Sequence, residues 1–152
     1  MGGAVHVRRG LFHVPISMNI YFAGSISGGR GDQAIYAEII DLLKRHGTVL
    51  SEHFGNASLT AAGEGIGDRA IHDRDIDWLR QADVIVAEVT TPSLGVGYEI
   101  GRAVEWGTRV ICLHRPSTRR LSGMIAGSPG VQVIAYATVA ELESLLASAL
   151  SR

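Results

Sequence analysis

Five short apolar runs alternate with amphipathic segments along this chain of 152 residues, and the alternation leaves few folds open. The apolar runs predict strands, and segments in which apolar residues recur every three or four positions predict helices. Strands separated by helices pair in parallel and are covered on both faces. The sequence therefore predicts a three-layer α/β fold, Rossmann-like or flavodoxin-like, with a five-stranded, mostly parallel sheet and helices on both faces. We expect strands at 19–23, 48–51, 83–88, 109–113 and 131–135, and helices from about 32 to 46 and at 70–81, 95–106, 121–126 and 138–150.

The chain is long enough for one domain with an apolar core and too short for two ordinary domains. Residues 1–17 show no period and precede the strand-like run at 19–23, so we interpret them as a disordered N-terminal extension. Residues 18–152 then form a single domain. Within it, the segment 52–68 has four glycines and no period, which predicts a long loop of the kind that often covers an active site.

Charge and composition limit the ligands that this protein can bind. A formal charge of -1 and a pI near 6.6 give no field that attracts a nucleic acid polymer, so a small phosphorylated molecule is the more plausible anionic ligand. The single Cys112 lies in an apolar run, which is typical of a reduced buried thiol, and no run resembles a membrane helix or a secretion signal. We therefore expect a cytoplasmic protein without membrane contact. The six histidines lack the spacing of a metal site, so neither a metal nor another cofactor is expected.

Two glycine-rich loops are candidates for binding a ligand. In the segment 91–101, TPSLGVGYEIG, a helix start would present backbone N–H groups beside Ser93 and Gly95, with Glu99 one turn further along. The loop after the first strand offers N–H groups, hydroxyls and a guanidinium. Alone, that loop is better interpreted as a flexible strand-to-helix turn, but loops after neighbouring parallel strands share the edge at which ligands bind. Its candidate residues are Gly24, Ser25, Ile26, Gly28, Gly29 and Arg30.

Carboxylates near the same edge are candidates for chemistry. Asp75 lies one helical turn from apolar residues on either side, so it can face inward, whereas Asp73 and Asp77 point elsewhere. Glu99 lies near a helix start, where the helix dipole favours an ionised acid. Glu88 ends the third strand and either lines the site or pairs with an arginine. Two carboxyl groups are the minimum for cleaving a glycosidic bond, so Asp75 and Glu99 form the candidate pair.

Four motifs, in order, resemble those of the 2′-deoxynucleoside 5′-phosphate N-hydrolases, which are relatives of the nucleoside 2-deoxyribosyltransferases. They are YFAGSI at 21–26, DRDIDWL at 73–79, ADVIVAEV at 82–89 and PSLGVGYEIGRA at 92–103. The resemblance implies that Glu99 attacks C1′ of the deoxyribose, that Asp75 protonates the leaving base, and that the Tyr21 hydroxyl contacts the nucleophile and the sugar. It also implies a homodimer in which Ser122 reaches the phosphate bound by the neighbouring subunit. Phosphate-loop positions match at Ser25, Gly28, Ser93 and Gly95.

One position separates hydrolysis from base exchange within this resemblance. The transferases typically have an Asp at the position of Ser93, which suits a neutral 5′-hydroxyl and would repel a phosphate. Ser93 therefore favours a nucleotide substrate. Where mammalian hydrolases have an Arg in the first loop, this chain has Ser27, which removes a charge-assisted donor that the nearby Arg30 can replace.

Three alternatives to nucleotide hydrolysis stay open at the level of sequence. Base exchange between deoxynucleosides is the first, and hydrolysis of ribonucleotides is the second, because discrimination at the 2′ position depends on the shape around Tyr21 and Ile26. The third is a nucleotide-binding module without turnover. The presence of Glu99, Asp75 and Tyr21 together favours an enzyme, since a pure binder needs no carboxylate at the anomeric carbon.

Overall fold

The computed structural model describes residues 17–26, 30–56, 65–116 and 119–151, and only the backbone of Arg30. Apart from Ser17, the predicted N-terminal extension lies outside these ranges. So do Ser27, Gly28 and Gly29 of the first loop and residues 57–64 of the predicted long loop. The division into an extension and a domain beginning at residue 18 stays a prediction.

Strands and helices alternate through the described residues as the apolar periods predict. Short 3₁₀ helices at Arg30–Asp32 and Glu52–Gly55 complete the regular structure. The strands are β1 (Met18–Ala23), β2 (Gly47–Val49), β3 (Val84–Glu88), β4 (Arg109–His114) and β5 (Val131–Ala135). The helices are α1 (Gln33–Leu43), α2 (Asp68–Gln81), α3 (Leu94–Glu105), α4 (Gly123–Ala126) and α5 (Val139–Leu150).

The five strands form one sheet in the order β2-β1-β3-β4-β5, and each neighbouring pair is parallel. The predicted α/β class is confirmed, and the strand order is the flavodoxin-like one. The order reverses between β1 and β3, which lie side by side at the centre of the sheet. The loops after these two strands therefore meet at the carboxyl edge, where ligands bind in open α/β sheets.

Each face of the sheet has its own apolar core, because successive strand residues point to opposite faces. α1 and α5 cover the face that carries Phe22. α2 and α3 cover the other face, which carries Tyr21. Both residues are 0% exposed, so packing on both faces holds this central strand in place, and side chains of the covering helices contact it in fixed positions.

Element bounds differ from the predicted ones mainly near turns. Gly47 begins β2 instead of ending the preceding helix, and a Cβ there would collide with the Met18 carbonyl oxygen, so glycine permits the close pairing of β1 with β2. The 3₁₀ turn at Glu52–Gly55 replaces the start of the predicted long loop and is anchored by buried Phe54. No helix within the described ranges combines the length and apolar character needed to cross a membrane.

Candidate active site

Tyr21 and Glu99 meet on the sheet face covered by α2 and α3. Tyr21 lies in the centre of β1, and its hydroxyl donates a hydrogen bond of 3.0 Å to Glu99 Oε1. Glu99 lies in the second turn of α3 and is partly buried. A strand residue with 0% exposure thus fixes the orientation of one carboxylate.

Asp75 enters the same cleft from α2. Asp75 is only 8% exposed, whereas Asp73 and Asp77 are exposed. This is the difference that helical spacing predicts. Arg74 Nε and Nη2 lie 2.9 and 2.8 Å from Asp75 Oδ1, and the Arg74 guanidinium lies over the Trp78 ring. Asp75 is therefore held in place by its neighbour on α2.

Burial and charge in the cleft raise the pKa of both Tyr21 and Glu99, with different consequences for their protons. Burial raises the pKa of Glu99 to about 7; the hydrogen bond from Tyr21 opposes this rise, and the charge of Asp75 adds to it. Burial and the two carboxylates also raise the pKa of Tyr21 well above its ordinary value. The phenol therefore remains a hydrogen-bond donor, and Glu99 changes its proton state near neutral pH.

Asp75 and Glu99 line a cleft of about 240 Å³ between α2 and α3. His72 and Tyr98 form part of its outer wall, with His72 Nε2 3.3 Å from the Tyr98 hydroxyl. The sequence analysis singled out neither His72 nor Tyr98. Their positions carried a signal, because His72 precedes Asp75 by three residues on one helix and Tyr98 adjoins Glu99. The remaining lining residues are Asp68, Ile71, Ile76 and Gly95.

Ser93 and Gly95 lie at the start of α3, as predicted. Ser93 is the N-cap residue, and its hydroxyl accepts a hydrogen bond of 3.4 Å from the Val96 N–H. A Cβ on Gly95 would have only Ser93 Oγ nearby, at 3.8 Å, so the first turn stays open to solvent. The first N–H groups of a helix lack partners within it and, with the helix dipole, favour an anion here.

The described part of the first loop packs more tightly than a flexible turn would. Ser25 is 3% exposed, and its backbone N–H donates to the Tyr36 hydroxyl at 3.2 Å. A Cβ on Gly24 would approach the Tyr36 ring to 3.0 Å, so a larger residue here would require that ring to shift. Ile26 packs against the core of the α1 face. The predicted roles of Gly28, Gly29 and the Arg30 side chain lie outside the described residues.

Ser122 lies on a second cleft, of about 380 Å³, which it shares with Ser93. α3 separates this cleft from the one that contains Asp75 and Glu99. Within one chain, Ser122 is therefore near the predicted phosphate position but is not in the cleft of the carboxyl pair. Its predicted role across a subunit interface stays a prediction.

These features define an α/β protein of the doubly wound class, with a cleft that contains two carboxyl groups at the topological switch point of the sheet. A family model described as nucleoside 2-deoxyribosyltransferase matches residues 20–138. The chain belongs to this family.

Two relatives and one solved structure show how near the similarity comes. The chain is 58% identical over 114 residues to a 5-hydroxymethyl-dUMP N-hydrolase of Tetraodon nigroviridis, covering 73% of this chain and 80% of the relative. It is 53% identical over 134 residues to the Rattus norvegicus protein of the same name, covering 84% and 82%. The Clostridium botulinum CMP N-glycosidase superposes with a TM-score of 0.59 at 20% identity, over 86% of this chain and 98% of that one. The last similarity supports the fold.

Proposed function

We propose that this protein hydrolyses the N-glycosidic bond of 2′-deoxynucleoside 5′-monophosphates to a free base and 2-deoxyribose 5-phosphate. The observation that carries the proposal is the hydrogen bond of 3.0 Å between Tyr21 and Glu99, in a cleft that also holds Asp75. The names of the relatives, which are N-hydrolases of a modified dUMP, support the same reaction. Two carboxyl groups beside a helix start suit a sugar phosphate, because one end of the cleft favours an anion and the other can cleave a bond.

The reaction divides between the two carboxyl groups. The ionised Glu99 oxygen attacks C1′ and forms a glycosyl ester as the bond from C1′ to the base nitrogen breaks. In this assignment Asp75 begins the cycle protonated and donates that proton to the nitrogen, so the base leaves neutral. Water then attacks C1′, the ester bond breaks, and Glu99 leaves as a carboxylate while the water proton passes to Asp75. Tyr21 orients Glu99 by donating its hydroxyl hydrogen throughout.

One observation favours the opposite assignment of roles. Glu99 has a pKa raised to about 7, which is a property of general acids, and Asp75 is paired with Arg74. In that version Asp75 attacks C1′ and Glu99 protonates the base. A 2-fluoro-2-deoxyribosyl nucleotide, which slows breakdown of the ester, distinguishes the two: mass spectrometry of the trapped protein should find the label on the peptide containing Glu99 and not on that containing Asp75.

The phosphate would lie at the start of α3. Ser93, Gly95 and the open first turn supply a hydroxyl and backbone N–H groups for it. Ser25 stays part of the proposed phosphate site, and its backbone N–H donates to the Tyr36 hydroxyl. Contributions from the rest of the first loop, Gly24, Ile26, Gly28, Gly29 and Arg30, remain part of the proposal.

The direct experiment incubates the protein with dGMP, dAMP, dCMP, dTMP and GMP and measures released base by chromatography. We expect release from at least one deoxynucleotide and none with Glu99→Gln, while the exposed Glu105→Gln on the same helix serves as a matched control with full activity. Absence of release from every deoxynucleotide would refute the proposal. Release from GMP at the same rate would shift it to ribonucleotides, and a new nucleoside after addition of a second base would reveal base exchange.

We further propose that the protein forms a homodimer through the surface beside the second cleft. Leu94 and Met124, two large apolar residues lining that cleft, are 96% and 84% exposed. Exposed apolar patches of this kind are typical of interfaces. Sedimentation should give a dimer that Leu94→Glu dissociates, and base release should fall with dissociation if Ser122 of each subunit contacts the phosphate of the other. A monomer at micromolar concentration would contradict this arrangement.

A further inference from the structure

A buried polar network lies at the carboxyl edge of the sheet, on the side away from the Tyr21 cleft, and the proposed reaction leaves it unused. Its centre is Glu88, the last residue of β3, which is 0% exposed. Glu88 accepts hydrogen bonds from the Tyr136 hydroxyl at 3.0 Å and from the Thr90 N–H at 3.2 Å, and also from the Thr90 hydroxyl. Arg115, just after β4, lies with its Nε 3.6 Å from Glu88 Oε1. The network therefore ties together the ends of three neighbouring strands.

The same arginine extends the network to the first loop. Arg115 Nη2 lies 2.7 Å from Asp32 Oδ1, and both side chains are less than 20% exposed. Asp32 occupies the N-cap position of α1 but makes no side-chain cap there. Its other oxygen accepts a hydrogen bond of 2.9 Å from the Thr91 hydroxyl. Asp32 ends the loop after β1, and Thr91 belongs to the loop after β3, so this bond joins the two loops directly.

An ion pair with little solvent exposure, such as Asp32 with Arg115, contributes little net stability, because removing two charges from water costs much of what their attraction returns. Replacing such pairs with apolar residues of similar volume is often neutral or stabilising. The charged groups here instead fix the orientation of the two loops relative to each other. The planar Arg115 guanidinium presents its N–H donors in fixed directions, and each Asp32 oxygen has its own partner. Thr91 lies two residues before Ser93, so its position sets that of the α3 start.

We propose that Asp32, Thr91 and Arg115 form a loop clamp, anchored by Glu88, which sets the spacing of the two loops that hold the 5′-phosphate. This inference rests on the proposed function, since it assigns the clamp to the phosphate end of that site. The three act as positioning residues, through the loops that they join. The clamp therefore governs affinity for the phosphorylated ligand and leaves the chemistry at C1′ unchanged.

Thr91 offers the gentlest test, because Thr91→Val removes the hydroxyl with little change in volume, while Thr91→Ser keeps the donor. Thr48→Val is the matched control, since the Thr48 hydroxyl contacts only Ser17 among described groups and is exposed on β2. Titration calorimetry with 2-deoxyribose 5-phosphate measures affinity without turnover, and base release from a deoxynucleoside monophosphate gives kcat and KM.

Thr91→Val should weaken binding of 2-deoxyribose 5-phosphate and raise KM by about two- to thirtyfold, the range for residues that act on a site through packed neighbours. The kcat should stay within about twofold of that of the unmutated protein, and the pH dependence of kcat should not change, as expected when binding alone is lost. Thr91→Ser should restore both the affinity for 2-deoxyribose 5-phosphate and the KM. The double variant Asp32→Asn/Thr91→Val should lose less affinity than the product of the two single losses. The reason is that both substitutions remove the same hydrogen bond, from the Thr91 hydroxyl to Asp32.

The clamp is refuted if Thr91→Val binds the sugar phosphate as tightly as Thr48→Val, or if Thr91→Ser is as weak as Thr91→Val. A fall in kcat at unchanged KM also refutes it. These outcomes differ from failure of the proposed function: if the unmutated protein binds 2-deoxyribose 5-phosphate but releases no base, the hydrolase proposal fails and the calorimetric comparison still decides on the clamp.

Discussion

Replacing Glu99 with glutamine should make the protein more stable above pH 7. The cleft raises the pKa of Glu99 from its ordinary 4.5 to about 7, so ionising this group costs more in the folded chain than in the unfolded one. At 1.36 kcal/mol per pKa unit the difference is about 3 kcal/mol, and solvent contact of a partly exposed side chain reduces the observable part to about 2 kcal/mol. Glutamine has nearly the same shape and keeps an acceptor oxygen for Tyr21, so the substitution isolates the charge.

The sign follows from proton binding. Between pH 4.5 and about 7 the unfolded chain has lost the Glu99 proton while the folded chain still holds it. The folded state then binds more protons, so its free energy of unfolding falls as the pH rises through this window. The contribution of the protonated group is fully present below 4.5 and is lost above about 7. Glu99→Gln has no proton to lose and should escape that fall.

Urea unfolding followed by circular dichroism at pH 4 and at pH 8 measures the effect. We expect Glu99→Gln and the unmutated protein to differ little at pH 4, and the variant to be more stable by about 2 kcal/mol at pH 8. Glu105→Gln, exposed on the same helix, should change stability little at either pH. An equal difference between Glu99→Gln and the unmutated protein at both pH values would refute the raised pKa and the desolvated cleft on which it depends.

Three further predictions concern activity. The kcat/KM for base release should decline as the pH falls through about 7, because Glu99 of the free enzyme takes up a proton, and a rate profile flat from pH 8 to 5.5 would contradict its role as the ionised nucleophile. Ser93→Asp should leave the urea midpoint unchanged, since Ser and Asp cap helices about equally well, yet raise KM for nucleotides at least tenfold through repulsion of roughly 1.4 kcal/mol or more, with no rise for the unphosphorylated deoxynucleoside. Asp75→Asn should lower kcat by about 10²-fold or more, the usual effect of losing a general acid, with KM nearly constant; an unchanged kcat would remove Asp75 from the chemistry.

The fold could be predicted from sequence because its signals are local. Alternating apolar runs and amphipathic segments gave each strand and helix, and parallel pairing follows from the helix between every two strands. The inward direction of Asp75 followed from helical spacing alone. The start of α3 was recognisable because a serine and small residues follow an apolar strand.

The rest depends on contacts that join distant segments. Nothing in the sequence shows that Tyr36 accepts the Ser25 N–H or that a Cβ on Gly24 would approach the Tyr36 ring. Asp32 has the residue type of a helix cap, but its carboxylate bonds to Thr91 and Arg115 instead. The hydrogen-bond partner of such a side chain is decided by groups from distant segments, which compete with the backbone N–H groups of the nearby helix start.

The cleft and the network place two acidic groups, Glu99 and Glu88, in opposite electrostatic settings on opposite sides of the sheet. Glu88 is buried with several hydrogen-bond donors and a nearby guanidinium, which suits the loop-anchoring role that we propose for it. Among the described residues, Glu99 has one hydrogen-bond donor, the Tyr21 phenol, and burial raises the pKa of Glu99 to about 7. A carboxylate that is fully satisfied by the protein has little left to offer a substrate, whereas one that is under-satisfied gains by reacting at a developing positive centre such as C1′. The number of donors around each acid therefore supports the proposal of reaction at Glu99 and positioning at Glu88.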